Sequence, residues 1–223
     1  MSLKSAIGIR TSKYYALQIG RLKEWRIAVM DCWCFLYSWS CSKICSFTKN
    51  TKDSMNKFEI RKATLADKGR IWEIIQQAIA LRKEQGSRQW QDGYPNEDVV
   101  QSDIDKGYAH VVEVAHRIVG YVAIIFDVEP AYDDIDGKWL SNGPYVGIHR
   151  LASAQDPHMK GVGTAIMRGV EEIAIDHSVY SIKVDTNFDN GGMLHVFEKL
   201  GYQYCGEVHF RGASRKAFEK LLK

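Results

Sequence analysis

No stretch of 18 or more uninterrupted apolar residues occurs in the 223-residue chain, so no membrane-spanning helix is expected. Of the five cysteines only Cys205 lies beyond residue 54. The other four, Cys32, Cys34, Cys41 and Cys45, run C-x-C-x6-C-x3-C, which is not a standard zinc spacing, and no metal site is expected. Acids are scarce in the same stretch: residues 1–54 carry nine Lys/Arg against Glu24, Asp31 and Asp53, a net +6. Residues 55–223 carry 21 basic residues against 24 acidic, a net −3, which suggests no nucleic-acid partner for that part. No internal repeat is visible.

The first 54 residues differ from the rest in other ways. They hold three of the six tryptophans and show no clean helical or strand period. The apolar stretch 27–41 is broken by Asp31 and lies too far in for a secretory signal. Residues 1–26 are basic and poor in acids, as transit peptides are, with little supporting pattern. The favoured reading is an N-terminal extension (1–54) ahead of a natural start at Met55 and a catalytic domain over 55–223. The cysteines are then free cytoplasmic thiols. If ordered, the segment packs on the domain or on a second copy.

Along 55–223, "FEIRKA" (58–63) reads as a strand, and Thr64 caps a helix with Asp67 in the capping-box place. Ile71, Ile74, Ile75, Ala78 and Ile79 give that helix one buried face. Asn96 caps a short helix to about Lys106, and 108–130 holds two strands joined around His116–Arg117. A loop with Asp133, Asp134, Asp136 and Trp139 leads to a strand at 144–154. A glycine turn opens a helix with Ile166, Val170 and Ile173 on one face; strand 180–186, helix 190–200 and two last strands follow. Helices and strands alternate only in the second half. The fold class is therefore α/β of the α+β kind: a mixed, mostly antiparallel central sheet of about seven strands flanked by helices.

"HMKGVGTAIMRGVEE" (158–172) sets Gly161 and Gly163 directly before a helix, where Ser, Thr, Asp or Asn caps better. A helix start has unpaired N–H groups and a partial positive charge, and glycine lets an anion approach them. The P-loop signature fails because Lys160 precedes the glycine, and the dinucleotide signature fails because Ile166 stands at its third glycine. The plain alternative is a tight turn whose glycines only allow close packing.

The order of elements decides between them. "GIHRLAS", "QDPHMKGVG", a helix, "SIKVDT" and "NGGMLHVFEKLGY" together closely resemble the GCN5-related N-acetyltransferase (GNAT) superfamily over nearly all of 58–223. The resemblance implies acetyl-CoA as acetyl donor, its pyrophosphate wrapped by backbone amides of Met159, Lys160, Gly161, Val162, Gly163 and Thr164, with His158 beside them as a further cofactor-binding residue. It implies that Leu151, Ala152 and Ser153 pair with the pantetheine as an extra strand and that Asn190 bonds it. Two positions depart from the family pattern. His158 stands where the family has Gln or Arg. Phe197 stands at a cofactor-side position where many members carry a Tyr that protonates the leaving thiolate, leaving water or Tyr202 as substitutes. A homodimer is common in the family.

Acyl transfer needs a neutral amine, a proton acceptor, and a donor for the oxyanion, here a backbone N–H of strand 144–154. His149, twelve residues before Gly161, is the leading base and resembles the strand histidine of arylalkylamine acetyltransferases. Many members instead use a Glu at the place of Gly147. Glu129 is the second candidate, acting through water, and His195 reads as helix surface. For the acceptor, a small-molecule or peptide amine, the loops 88–95 and 129–139 offer Trp90, Tyr94, Tyr132 and Trp139 beside acids. The alternative there is a solvated acidic loop anchored by its tryptophan. The competing function is an acyl-CoA-binding sensor without turnover.

Overall fold

The computed structural model describes residues 57–126 and 128–223. The readings made on residues 1–54 and on Met55 lie outside these residues. In chain order the elements are β1 (Glu59–Lys62), α1 (Lys68–Glu84), α2 (Glu97–Asp105), β2 (Ala109–Val114), β3 (Arg117–Ile125) and β4 (Asp136–Gly137). Then come β5 (Val146–Ser153), α3 (Val162–Asp176), β6 (Ser181–Thr186), α4 (Gly191–Leu200), β7 (Gln203–Phe210) and β8 (Ala213–Leu221). The sheet runs β1-β2-β3-β5-β6-β8-β7-β4, and its one parallel pair among the described residues is β5–β6. The mixed, mostly antiparallel sheet is as expected, with eight strands rather than seven. The eighth, β4, is two residues inside the stretch read as loop, pairing with Gly206 and Glu207. Two residues are too few to show a period. Among the described residues, no helix is long and apolar enough to cross a membrane.

Local chemistry accounts for the joints. The Asp67 carboxylate accepts from the Thr64 backbone N–H and hydroxyl at 2.8 and 3.0 Å, while Arg61 reaches both of its oxygens. A 3-10 turn, Leu65–Asp67, intervenes before α1 begins, so Thr64 caps that turn rather than α1 itself. Asn96 accepts from Val99 N–H at 3.0 Å and starts α2. The β2–β3 hairpin turns through Ala115 and His116, both at positive φ (49° and 61°), one residue earlier than expected. Two successive positive φ values match the right-handed twist of the flanking strands.

β3 is buried on both faces, with its side chains alternating between two cores. Val122 and Ile124 meet Ile166, Met167 and Val170 of α3, with Phe197, on one face. Tyr121 and Ala123 meet Ile71 and Ile75 of α1 and Val100 of α2 on the other. Removing a fully buried ring such as Phe197 by alanine costs about 3–5 kcal/mol in such a setting.

Candidate active site

The helix start stands as the sequence suggested. Gly161 is the N-cap of α3 at φ 87°, and no side chain caps the first turn. That left-handed backbone favours glycine, although an added Cβ would meet nothing within 4 Å. At Gly163 the backbone is ordinary, and a Cβ would lie 3.7 Å from Val196 Cγ2, a normal contact. Packing within the protein therefore does not require glycine at 163. The turn before the helix is pinned from α1: Gln77 Oε1 accepts from the backbone of Gln155 (2.8 Å) and Asp156 (3.3 Å).

β5 supplies the second half of the site. It pairs with β6 only from Val146 to Ile148. From His149 onward that edge has no strand partner among the described residues, and its N–H and C=O groups face outward as a template for an extended ligand. The ladder to β3 slips at the same place, with Ala123 opposite His149 and Tyr121 opposite Ala152. The extra residue is a bulge around Arg150, whose φ is 52°. A cavity of about 600 Å³ opens where β5 and β6 part, between the start of α3, the end of α1 and the start of α4.

His149 and Glu129, the two candidate bases, come together: Nε2 lies 3.5 Å from Glu129 Oε2. That is too long for a good hydrogen bond, and Nε2 is buried without a hydrogen-bond partner among the described residues. Burial, followed by the charges of Arg150 and Arg215, pushes the His149 pKa down to about 3. Glu129 is shifted upward, mainly by burial, against the opposing hydrogen bond from Ala131 N–H. Behind His149, Tyr132 stacks at 6.2 Å and Phe210 meets it edge-on at 6.3 Å.

Three arginines line the cavity, each paired with one carboxylate. Arg150 binds both Asp103 oxygens at 2.7 Å and donates to Tyr94 Oη at 2.7 Å, while Tyr121 donates to the same Asp103. Arg82 reaches Asp189 at 2.6 Å, and Arg215 reaches Asp185 at 3.1 Å. No motif in the sequence announced them. Asp103 and Arg150 are 47 positions apart and meet only because α2 packs beside the bulge.

Of the residues singled out in the sequence, His149, Leu151–Ser153, His158–Thr164, Asn190, Trp90 and Tyr94 line the cavity. His195, read as helix surface, is exposed and lines it too. Asn190 uses Oδ1 to cap α4 through Met193 N–H at 3.3 Å and gives Nδ2 to Gln89 at 3.2 Å. Five residues are placed elsewhere; Glu129 is not itself on the cavity wall and meets it through His149, 3.5 Å away. Phe197 is wholly buried against Tyr202 and Phe218, and neither it nor Tyr202 is on the cavity wall. Tyr132 and Trp139 pack together at 5.1 Å, joined by Trp139 Nε1 donating to Tyr132 O, and stand behind the wall rather than on it. Asp133, Asp134 and Asp136 are exposed, so that loop is a solvated acidic one anchored by its tryptophan. A large aromatic beside acids is equally suited to binding a cation and to pinning a loop, and the sequence did not separate the two.

The sequence model of the acetyltransferase (GNAT) family matches residues 75–202. An acetyltransferase of the GNAT family from Streptococcus agalactiae 2603 is 35% identical, with 74% of this chain and 96% of that one covered, at a TM-score of 0.69. A GNAT-family acetyltransferase from Listeria monocytogenes 4b F2365 is 21% identical over 75% of this chain and 96% of its own, at a TM-score of 0.61, and bears on the fold alone. No curated protein matches. With the family model spanning more than half of the chain and the streptococcal enzyme aligned over nearly its whole length, this chain belongs to the GNAT acetyltransferase family.

Proposed function

We propose that the chain transfers the acetyl group of acetyl-CoA to a primary amine by direct attack, with both substrates bound at once. The observation that carries this is a single cavity onto which both an uncapped glycine helix start and an unpaired strand edge open. The amides of Val162, Gly163 and Thr164 suit a pyrophosphate, and the free edge of β5 suits the amides of pantetheine. Acetyl-CoA supplies an activated thioester carbonyl. The amine attacks it, a C–N bond forms and the C–S bond breaks. Of the two protons the nitrogen sheds, one goes through Glu129 to solvent and the other ends on the sulfur.

Glu129 is the better proton acceptor of the two candidates. An alkylammonium titrates near about 10, by analogy with lysine, so a group held near 3 is a poor match for it. His149 stays neutral and presents a lone pair or an N–H to the arriving amine. No phenol lines the α4 side among the described residues, so the second proton reaches the thiolate through water. A thiol with a pKa of about 8.5, by analogy with cysteine, leaves without needing more.

Calorimetry with acetyl-CoA on the full chain tests the donor site, with Gly163→Ala and Gly163→Val alongside. Gly163→Ala fits the protein and stabilises the helix by up to about 1 kcal/mol, yet weakens acetyl-CoA binding at least tenfold; Gly163→Val weakens it further. Equal affinity in all three sinks the donor site. The burial of Phe197 favours a second reading, a sensor that holds acyl-CoA without turnover. Tight binding with no thiol release across a broad amine panel would select it.

A further inference from the structure

Arg215 reaches the cavity from β8, with its guanidinium carbon 5.2 Å from the Phe210 ring centre. Nη1 donates to Asp185 Oδ2 at 3.1 Å, its one hydrogen bond among the described residues. Nε is buried and makes none. The guanidinium edge formed by Nε and Nη2 is thus unused, and two parallel N–H groups on such an edge fit the two oxygens of a carboxylate. A buried donor without a partner is costly and wants a ligand.

The other cavity arginines do not offer this. Arg150 commits Nε, Nη1 and Nη2 to Asp103 and Tyr94. Arg82 also has a buried Nε without a partner, but both of its Nη atoms are engaged, by Gln85, Ser87 and Asp189. Arg215 and His149 line the same cavity and both meet the Phe210 ring, at 5.2 and 6.3 Å, so Arg215 stands at the end of the cavity where the amine must arrive. The formal charges complete the picture. Arg150 is balanced by Asp103 and Arg215 by Asp185, which leaves the Glu129 carboxylate beside a neutral His149.

We infer that the acceptor is a small amino acid, its amine toward Glu129 and His149 and its carboxylate on the Nε–Nη2 edge of Arg215, which makes Arg215 the residue that sets acceptor specificity. The inference rests on the acetyl-transfer reading and deepens it. A zwitterion satisfies both ends at once. A diamine brings a second cation toward Arg215 and leaves Nε unpaired, and a peptide N-terminus brings a neutral amide in place of the carboxylate.

The test is thiol release from acetyl-CoA by the full chain with the common α-amino acids, several ω-amino acids, the matched carboxamides, diamines and short peptides. At least one amino acid is expected to exceed its carboxamide tenfold in kcat/KM, with the difference in KM. Removing Arg215 alone leaves a buried Asp185 carboxylate without its cation, held only by the Tyr132 hydroxyl at 2.9 Å, so the variant is R215Q/D185N, in which both charges go together. Its acid-to-amide ratio falls to within about twofold of one. Arg215→Lys, which keeps the charge but not the fork, lowers the ratio at least threefold and serves if the double variant does not fold. Carboxamides, diamines or peptides turned over as well as amino acids, or a ratio that survives both variants, overturn the inference and leave acetyl transfer standing. No thiol release with any amine, together with no calorimetric binding of acetyl-CoA, removes the acetyl-transfer reading and this inference with it.

Discussion

Glu129→Gln is expected to lower kcat/KM by about 10²–10⁴, the usual worth of a positioned general base, while acetyl-CoA binding stays within about threefold. The substitution removes the proton acceptor but keeps the shape and the amide oxygen that Ala131 N–H requires. In the unmodified protein, kcat/KM falls on the acid side as Glu129 takes a proton, at a pH above the ordinary glutamate value because burial raises it. Glu129→Gln flattens that limb, and His149→Gln leaves it in place with a smaller loss of rate. A pH profile of both variants separates the roles. If His149→Gln flattens the limb and Glu129→Gln does not, the order of the two groups is reversed.

The second large effect is on stability and comes from His149. Its native pKa of about 3 lies below the ordinary value of 6.5, so in that interval the unfolded chain holds a proton that the native state excludes. Stability from the neutral ring is therefore complete above pH 6.5 and is lost as the pH falls toward 3. Each pH unit inside the interval is worth up to about 1.4 kcal/mol. Between pH 7.5 and 5 the unmodified protein should lose about 2 kcal/mol more than His149→Phe, whose ring keeps the contacts with Tyr132 and Phe210. Urea midpoints of both proteins at pH 7.5, 6 and 5 give the difference. Because the carboxylates titrate alike in both, the subtraction isolates this one group. Parallel loss in the two proteins means that His149 titrates near its ordinary value.

The glycine helix start, where the proposal puts the donor, was legible because it is local in the chain. Gly161, Gly163 and the helix after them lie within a few residues, and a helix start binds anions through its own backbone whatever surrounds it. The same holds for Asn190 as cap of α4 and for the buried stripe of α1, where spacing alone fixes which side chains face inward. The family resemblance rested on this half of the chain.

The arginine-lined end of the cavity, where the proposal puts the acceptor, was not legible, because its residues are brought together by strand order and by a bulge. β8 inserts between β6 and β7, which carries Arg215 to Asp185 across 30 positions. The slip at Arg150 turns one side chain toward Asp103 and ends the regular alternation that would have told cavity from core. Tyr132 and Trp139 had the composition of a binding loop, and only the packing of one ring on the other sent them behind the wall. The downward shift of His149 and the upward shift of Glu129 were equally hidden, since the burial of both and the charges of Arg150 and Arg215 near His149 belong to the folded state. By itself, then, the sequence determined the helix caps, the periodic faces and the glycine turn, each set by neighbours within a turn of chain. The tertiary structure alone decided which charges meet in the cavity, because residues tens of positions apart interact only after the sheet has chosen its strand order.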